Sequence, residues 1–288
     1  MPVSERALAP LAGPTGVLCT LALDHRAAMR NAFRRAGVPD VSEETMLEVK
    51  RRIAGVLAGR ATGILLDPAA VGCRPPGIGL LVPLEEQEYE SLDGGRLNGL
   101  MEDFGAKEAR AIRADGCKLL LHFRADHPAT AARQVELVRR AAEDSHEHGL
   151  PLVLEPLVYR LEGEAEDAYV AAYAGLVVEG ARALADSGAD LLKLQFPSEA
   201  ACRELTEASA QLPWALLGGS DVDGETFVGQ LELACRAGAA GFIAGRAVWG
   251  GALGLPAGEQ EAWLHDEALP LFERMCATAE ELAAGIPR

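Results

Sequence analysis

Short apolar runs recur along the whole chain and alternate with longer segments in which charged and apolar residues follow helical spacing. Each run is four to seven residues long and ends at a turn-forming or charged residue. Such runs are typical of buried parallel strands, because a strand that is covered on both faces is apolar throughout. There are eight of them, at residues 17–23, 63–66, 78–82, 117–122, 152–155, 190–194, 214–217 and 241–244.

The alternation of strands and helices predicts an α/β protein built from βαβ units. Eight strands in one chain favour a single (β/α)₈ TIM barrel over an open doubly wound sheet. No glycine-rich dinucleotide-binding motif follows the first strand, which also argues against the open sheet. Helices are predicted over residues 41–59, 103–114, 130–148, 167–187, 198–210, 224–237 and 259–284.

We therefore predict one domain over residues 1–288, in which 1–16 form an N-terminal cap and 256–288 a C-terminal helix. Residues 84–100 contain four glutamates and a Gly-Gly pair. This stretch is predicted to be a loop whose acidic side chains form a solvated face.

Composition narrows the function classes. The formal net charge of −16 argues against a nucleic-acid-binding surface, which needs a basic face. The 49% of hydrophobic residues indicates a globular core. The six cysteines are scattered without a CxxC pair, as expected for free thiols. No signal peptide or membrane-spanning run is found, so we predict a soluble, cytoplasmic protein with no nucleic-acid or membrane partner.

Polar residues collect where the predicted strands end. In a barrel, the carboxyl ends of the strands and the loops that follow them form the active site. We therefore take these residues together as the candidate site: Asp24, Arg26, Lys118, Arg124, Glu155, Lys193, Gly218, Gly219, Ser220, Gly245 and Arg246.

Lys193 lies inside the apolar run 190–194. A buried ammonium without a partner tends to lose its proton, and a neutral amine in an enclosed site is the group that forms Schiff bases. The alternative is a lysine at the end of a strand that reaches solvent or pairs with a carboxylate.

Lys118 and Glu155 lie on the two strands before Lys193. A neighbouring ammonium such as Lys118 would favour a neutral, nucleophilic Lys193, and Glu155 or Asp24 could move protons during imine formation. The alternative interpretation is a buried ion pair between Lys118 and Glu155 that only holds the barrel together.

The last two strands end in Gly218-Gly219-Ser220 and Gly245-Arg246. Barrels frequently bind phosphate with the loops after strands seven and eight, where glycine lets backbone N–H groups approach the anion. Arg246 adds a charged donor. No convergent set of histidines suggests a metal site, no cofactor is predicted, and no GxSxG motif suggests a serine hydrolase.

Several motifs occur in an order and spacing that resemble one family. They are Leu23-Asp24-His25-Arg26, Ile64-Leu65-Leu66-Asp67-Pro68, Cys117-Lys118-Leu119-Leu120, Leu154-Glu155-Pro156, Ala189-Asp190-Leu191-Leu192-Lys193 and Ala244-Gly245-Arg246-Ala247-Val248-Trp249. As a set, over residues 17–255, they resemble the class I aldolases of the tagatose-1,6-bisphosphate aldolase and sulfofructosephosphate aldolase group.

The resemblance implies a metal-independent (β/α)₈ barrel that cleaves a phosphorylated ketose into dihydroxyacetone phosphate and an aldehyde. It implies that Lys193 is the Schiff-base lysine and Glu155 the acid/base carboxylate. Lys118 and Asp24 would position the substrate and tune the lysine, and Gly245 and Arg246 would belong to the phosphate-binding end. It also implies a homo-oligomer, since members of the group commonly associate.

The chain departs from the family after strand seven, where Gly218-Gly219-Ser220-Asp221 is one residue longer, displaces the serine and adds an acid. Arg26 and Arg124 are candidates for a second anionic group on the substrate. Two alternatives to the aldolase stay open: a sugar-phosphate isomerase or epimerase with Glu155 as its base, and a sugar-phosphate sensor without activity.

Overall fold

The computed structural model describes residues 5–38, 40–210, 212–219 and 222–286. Eight parallel strands close into a barrel, because each pairs with the next and the last pairs with the first. These strands are β1 (Leu18–Leu23), β2 (Gly63–Leu66), β3 (Gly79–Pro83), β6 (Gly116–His122), β7 (Leu152–Leu157), β8 (Leu191–Leu194), β9 (Trp214–Gly218) and β10 (Gly241–Ala244). The prediction of a (β/α)₈ barrel is confirmed, with a strand at each of the eight apolar runs.

Helices surround the barrel. They are α1 (Ala27–Arg35), α2 (Glu43–Leu57), α3 (Ala106–Ala111), α4 (Pro128–Glu147), α5 (Glu166–Leu184), α6 (Cys202–Ala208), α7 (Gly224–Ala237), α8 (Arg246–Trp249), α9 (Ala257–Trp263) and α10 (Leu269–Leu282). Short 3₁₀ helices cover Glu5–Leu11, Ala58–Arg60, Pro68–Cys73 and Gly250–Gly254. None of the helices in the described part of the chain is long and apolar enough to cross a bilayer.

Two helical predictions need correction. Helix α1 was not predicted, because its arginines conceal the two side chains that it buries, Met29 and Phe33. The single C-terminal helix is in fact α9 and α10, which are joined by a π-helical turn at Leu264–Ala268.

The acidic stretch 84–100 is not a loop. It forms an antiparallel hairpin of β4 (Glu85–Leu92) and β5 (Gly95–Leu100) inserted between β3 and β6. Asp93 and Gly94 make the turn with φ of 51° and 80°, the positive values that a two-residue type I′ turn requires. The Asp-Gly pair was the available sequence signal for this hairpin.

The barrel interior explains how charged residues enter the site. Inward-facing residues of β7 and β8 begin with Val153 and Leu191, which belong to an apolar cluster closed from below by Leu8 and Leu11 of the first 3₁₀ helix. Because alternate residues of a strand face the same side, the next inward positions are Glu155 and Lys193. The interior of the barrel is therefore apolar at the amino end of the strands and charged at their carboxyl end.

Gly241 shows how closely β1 and β10 approach each other. Its φ is +130°, and a Cβ at this position would lie 2.0 Å from the carbonyl oxygen of Leu18. We expect Gly241→Ala to lower the free energy of unfolding by about 3 kcal/mol or more. Urea denaturation measures this loss, with Gly229→Ala in open space on α7 as the control. An unchanged urea midpoint for Gly241→Ala would contradict the expected clash.

Candidate active site

A cavity of about 370 Å³ lies at the carboxyl end of the barrel strands. Residues from β1, β6, β7, β8 and β9 line it together with Arg246 of α8, and the β4–β5 hairpin closes one side. Most of the predicted site residues lie in its wall: Asp24, Arg26, Lys118, Glu155, Lys193, Gly218, Gly219 and Arg246. Two larger cavities lie elsewhere and contain neither lysine.

Lys118 is surrounded by carboxylates. Its Nζ lies 3.0 Å from Asp24 Oδ2, 2.7 Å from Glu85 Oε1 and 2.9 Å from Glu155 Oε2. Burial opposes the charged form of this lysine, but the three carboxylates outweigh burial and raise its pKa well above the ordinary value. Lys118 is therefore a fixed cation in the wall of the cavity.

Glu155 joins the two lysines. Its Oε1 lies 3.0 Å from Lys193 Nζ, while its Oε2 makes the contact with Lys118. Burial alone would raise the pKa of Glu155, but Lys118 and then Lys193 outweigh it, so the pKa is lowered. The charged carboxylate is thus the favoured form of Glu155 next to the Lys193 amine.

Asp24 directly follows β1, and its carboxylate contacts Lys118 of β6. Burial would raise its pKa, but Lys118 in particular lowers it. His25 lies beside it, with Nδ1 3.5 Å from Asp24 Oδ1. Arg26 donates from Nη2 to the main-chain oxygen of Glu85 at 2.9 Å, which ties the end of β1 to the hairpin.

Glu85 is a charged residue of the cavity wall that was not predicted to belong to the site. Only 5% of its surface is exposed, and its Oε2 accepts a hydrogen bond from the backbone N–H of Leu120 at 3.0 Å. Burial raises its pKa, in contrast to Asp24 and Glu155, because the nearby Lys118 does not fully compensate. Its position directly after the third strand was the available signal, but the exposed glutamates that follow concealed it.

Close packing accounts for two of the three glycines at the predicted phosphate-binding end. A Cβ on Gly218 would lie 2.5 Å from the Cβ of Ala244, and one on Gly245 would lie 2.6 Å from the carbonyl oxygen of Ala22. Gly219 and Arg246 line the cavity beside them. Ser220, the remaining predicted residue of this end, lies outside the described residues, as does Asp221.

The structure does not bring Arg124 into the cavity. Its guanidinium donates to Asp126 Oδ1 at 2.8 Å, to Glu164 Oε2 at 2.7 Å and to the carbonyl oxygen of Tyr159 at 2.9 Å. Arg124 follows β6 but turns outward to hold the β7–α5 loop, so its position does not support a substrate-binding role. Across the described ranges, no group of three or more His, Cys, Asp and Glu side chains is arranged to hold a metal ion.

The cavity at the carboxyl end of this barrel holds two lysines that are joined by a carboxylate. Sites of this class can form imines with carbonyl compounds. Comparison with known proteins agrees with this class. The family model described as DeoC/LacD family aldolase matches residues 18–251, and the chain belongs to that family. It is a class I aldolase, which is an enzyme of the carbon–carbon lyase type.

Similar proteins cover nearly the whole chain. Tagatose 1,6-diphosphate aldolase 1 of Streptococcus pyogenes serotype M1 is 28% identical over 93% of this chain and 93% of its own length. Tagatose 1,6-diphosphate aldolase 2 of the same organism is 25% identical, over 93% and 92%. An archaeal fructose 1,6-bisphosphate aldolase structure shares the fold with a TM-score of 0.68 and 18% identity, over 96% of this chain and 99% of its own.

Proposed function

We propose that this aldolase cleaves a phosphorylated ketose, of the tagatose or fructose 1,6-bisphosphate type, to dihydroxyacetone phosphate and an aldehyde. In this proposal Lys193 forms the imine with the ketose, Glu155 transfers protons, and Lys118 with Asp24 sets the charge around them. The names of the similar proteins support the substrate class. Location in the cytoplasm and assembly into a homo-oligomer remain predictions from the sequence.

The surroundings of the four lysines differ, and this difference supports Lys193 as the nucleophile. Lys107 is exposed on α3, and Lys50 is buried on α2 in an ion pair with Asp67. Lys118 and Lys193 both line the cavity. Among the described residues, Lys118 contacts three carboxylates, whereas Lys193 contacts one, that of Glu155. A lysine held as a cation by three carboxylates is a poor nucleophile, because attack needs the neutral amine. Lys193 is therefore the lysine suited to attack a carbonyl.

The chemistry follows from an amine at this position. The neutral amine of Lys193 attacks the ketose carbonyl at C2, and the resulting carbinolamine loses water to give a protonated imine. The bond between C3 and C4 then breaks: its electron pair moves into the imine, and the C4 hydroxyl loses its proton as the aldehyde leaves. Protonation of the enamine at C3 and hydrolysis of the imine release dihydroxyacetone phosphate and restore the amine.

Glu155 is suited to the proton transfers. Its Oε1, 3.0 Å from Lys193 Nζ, can accept the proton that the amine loses on attack and return it to the carbinolamine hydroxyl as water leaves. Its lowered pKa favours the carboxylate, the form that accepts a proton. Lys118 stays charged beside it and stabilises that carboxylate.

The two ends of the cavity suit the two anionic ends of such a substrate. Gly219, Gly245 and Arg246 lie at the carboxyl ends of β9 and β10, and we assign to them the phosphate on C1. Arg26 lies across the cavity near the hairpin, and we assign to it the anionic group on the aldehyde half. Arg124 has no part in this proposal.

The substrate class can be tested by steady-state cleavage. Purified protein is given tagatose 1,6-bisphosphate, fructose 1,6-bisphosphate and fructose 6-phosphate, and glyceraldehyde 3-phosphate, the product common to all three cleavages, is measured with glyceraldehyde-3-phosphate dehydrogenase. We expect release from a bisphosphate in the presence of EDTA and at least tenfold lower kcat/KM for the substrate that lacks the C1 phosphate. Absence of release from every ketose phosphate would reject the proposed substrate class.

Lys118→Met tests the electrostatic role given to Lys118. In the wild type the ammonium lowers the pKa of Glu155, so its removal raises that pKa and the carboxylate is lost at a higher pH. We expect the acid limb of the kcat/KM profile to move upward by about one pH unit or more. Lys118→Arg keeps the charge and should leave the limb in place. An acid limb at the same pH in all three proteins would contradict this role.

A further inference from the structure

The proposed mechanism gives no role to His122, which lines the cavity at the end of β6. Alternate residues of a strand face the same side, so His122 follows Lys118 and Leu120 on the inner face. In the pairing of β6 with β7, Leu120 lies beside Glu155 and His122 lies beside Leu157. The histidine is therefore one inward position beyond Glu155, about 7 Å closer to the mouth of the cavity.

The hydrogen bonds of Asn98 fix the protonation of the His122 ring. Asn98 Oδ1 accepts one hydrogen bond from the backbone N–H of His122 at 2.7 Å and another from Gln134 Nε2 at 3.3 Å. Because a backbone N–H can only donate, this atom of Asn98 is the oxygen of the amide. His122 Nδ1 lies 3.2 Å from the same oxygen and therefore carries the ring proton. In the neutral ring, Nε2 is then a hydrogen-bond acceptor.

The ring is held in place and is uncharged. Tyr89 and Tyr159 contact it edge-on, with ring centroids 4.9 Å and 5.7 Å away. Burial lowers the pKa of the imidazole to about 4, and the positive charge of Arg96 acts in the same direction, although Glu155 opposes them. The neutral form therefore prevails at pH 7.

Nε2 of His122 is available to a molecule in the cavity. It is not enclosed by protein, and it has no hydrogen-bond partner among the described residues. An acceptor without a hydrogen can bind a hydroxyl, but it cannot donate to the oxygen of a phosphate or of a carbonyl. In a sugar phosphate, the matching group is a hydroxyl.

The strand order places His122 on the aldehyde side of the substrate. In either direction around the barrel, β6 is four strands from β10, and Lys193 lies on β8 between them. By the proposed function, on which this step rests, a ketose held by its C1 phosphate at β9 and β10 and by C2 at Lys193 extends toward β6. His122 contacts the β4–β5 hairpin through Asn98. Arg26, to which the second anionic group is assigned, contacts the same hairpin through Glu85.

The reaction distinguishes the two hydroxyls of that half of the ketose. The oxygen on C4 loses its proton during cleavage and becomes the carbonyl oxygen of the aldehyde, so an acceptor such as Nε2 cannot hold it throughout. The hydroxyl on C5 keeps its proton in both the ketose and the aldehyde. It is also next to C6, which carries the anionic group assigned to Arg26. The C5 hydroxyl is therefore the group that matches His122.

We propose that His122 is a specificity-determining residue whose Nε2 accepts a hydrogen bond from the C5 hydroxyl of the ketose. In the reverse reaction this is the hydroxyl of glyceraldehyde 3-phosphate. A site that binds a hydroxyl discriminates against the analogue that lacks it, because the polar atom of the site is then left unpaired. The enzyme therefore prefers an aldehyde with a hydroxyl on the carbon beside the carbonyl.

Condensation with two aldehydes tests this preference. Dihydroxyacetone phosphate is combined with D-glyceraldehyde 3-phosphate or with 3-phosphooxypropanal, which is the same aldehyde without the hydroxyl. Consumption of dihydroxyacetone phosphate is measured with glycerol-3-phosphate dehydrogenase, and kcat/KM is obtained for each aldehyde.

Two variants separate hydrogen bonding from the shape of the ring. His122→Phe keeps a flat ring between the two tyrosines and removes Nε2, while Asn98 keeps its bonds to the backbone and to Gln134. His122→Gln loses the ring but places an amide oxygen, which is an acceptor, near the position of Nε2. His265→Phe, at an exposed histidine, is the control.

We expect the wild type and His265→Phe to prefer glyceraldehyde 3-phosphate about tenfold, the effect of one hydrogen bond. In His122→Phe, kcat/KM should fall about tenfold for glyceraldehyde 3-phosphate and stay within about twofold for 3-phosphooxypropanal, so that the preference disappears. His122→Gln should keep a preference of about threefold or more. Each variant should still give a borohydride-reduced adduct on Lys193, which shows that the site is folded.

A tenfold preference that persists in His122→Phe, with the adduct retained, would reject the role of His122 and leave the aldolase mechanism intact. An equal loss for both aldehydes would show that His122 only supports the structure, and a His122→Gln variant as unselective as His122→Phe would assign the preference to the ring shape. Either result would overturn the proposal, as would a wild type without any preference. A wild type that condenses neither aldehyde would reject the proposed substrate class and the role of His122 with it.

Discussion

Lys193→Met is expected to lower kcat/KM for ketose bisphosphate cleavage by about 10⁴-fold or more. Loss of the covalent nucleophile removes the whole reaction path, which costs more than the loss of a single substrate contact. Methionine fills nearly the same volume, so the barrel should remain folded. Glu155 then loses its contact with Lys193 but keeps its contact with Lys118. Stopped and steady-state assays of dihydroxyacetone phosphate release measure the loss, and circular dichroism checks the fold.

Lys107→Met is the matched control for that experiment. Lys107 is exposed on α3, away from the cavity, so its loss should leave kcat/KM within about twofold of the wild type. A Lys193→Met variant that keeps more than one hundredth of wild-type activity would contradict the assignment of Lys193. The same loss in Lys107→Met would point to a general effect of lysine removal.

Glu155→Gln should have the second-largest effect. The amide keeps the size of the side chain but cannot accept the proton that Lys193 loses, and it leaves the Lys118 ammonium with two carboxylates in place of three. We expect kcat to fall by about 10²- to 10⁴-fold, the usual contribution of general acid–base catalysis. Imine formation should become slower than in the wild type in single-turnover experiments.

The control for Glu155→Gln is Glu88→Gln, which makes the same change at an exposed position of the hairpin. Its kcat should equal that of the wild type. If Glu155→Gln kept more than a tenth of wild-type kcat, another group, such as Glu85 or Asp24, would have to move the protons.

The barrel could be predicted from the sequence because its strands are buried on both faces. A strand such as β8 is apolar apart from Lys193, and the apolar runs on either side of it are followed by Pro156 and Gly218. The β4–β5 hairpin lacks this signal, since most of β4 is exposed and five of its first six residues are polar or charged. Its one strong mark, the Asp93-Gly94 turn, is short and easily taken for a loop.

The centre of the site could be predicted for a related reason. Alternation along β6, β7 and β8 places Lys118, Glu155 and Lys193 on the inner face, and the barrel brings these strands side by side. Residues beyond the strand ends do not follow such a rule. Arg124, two residues after β6, turns away to Glu164, whereas Glu85, two residues after β3, turns inward to Lys118.

The sequence alone also could not show which of the two lysines, Lys118 or Lys193, is held in the charged form. It predicted that Lys118 would act on Lys193 directly as a neighbouring ammonium. The structure instead surrounds Lys118 with Asp24, Glu85 and Glu155, and Glu85 was not among the predicted residues. The three carboxylates hold Lys118 as a cation, whereas Lys193 in the same cavity remains the candidate nucleophile.

Imine formation between Lys193 and the substrate can be tested by reduction with sodium borohydride, which converts the imine to a stable amine. Protein is incubated with dihydroxyacetone phosphate, reduced, digested and analysed by peptide mass spectrometry. Because the chain has only four lysines, each can be followed separately. We predict a reduced adduct on the peptide that contains Lys193 and unmodified Lys50, Lys107 and Lys118. An adduct on Lys118, or no adduct when binding is shown separately, would contradict the account.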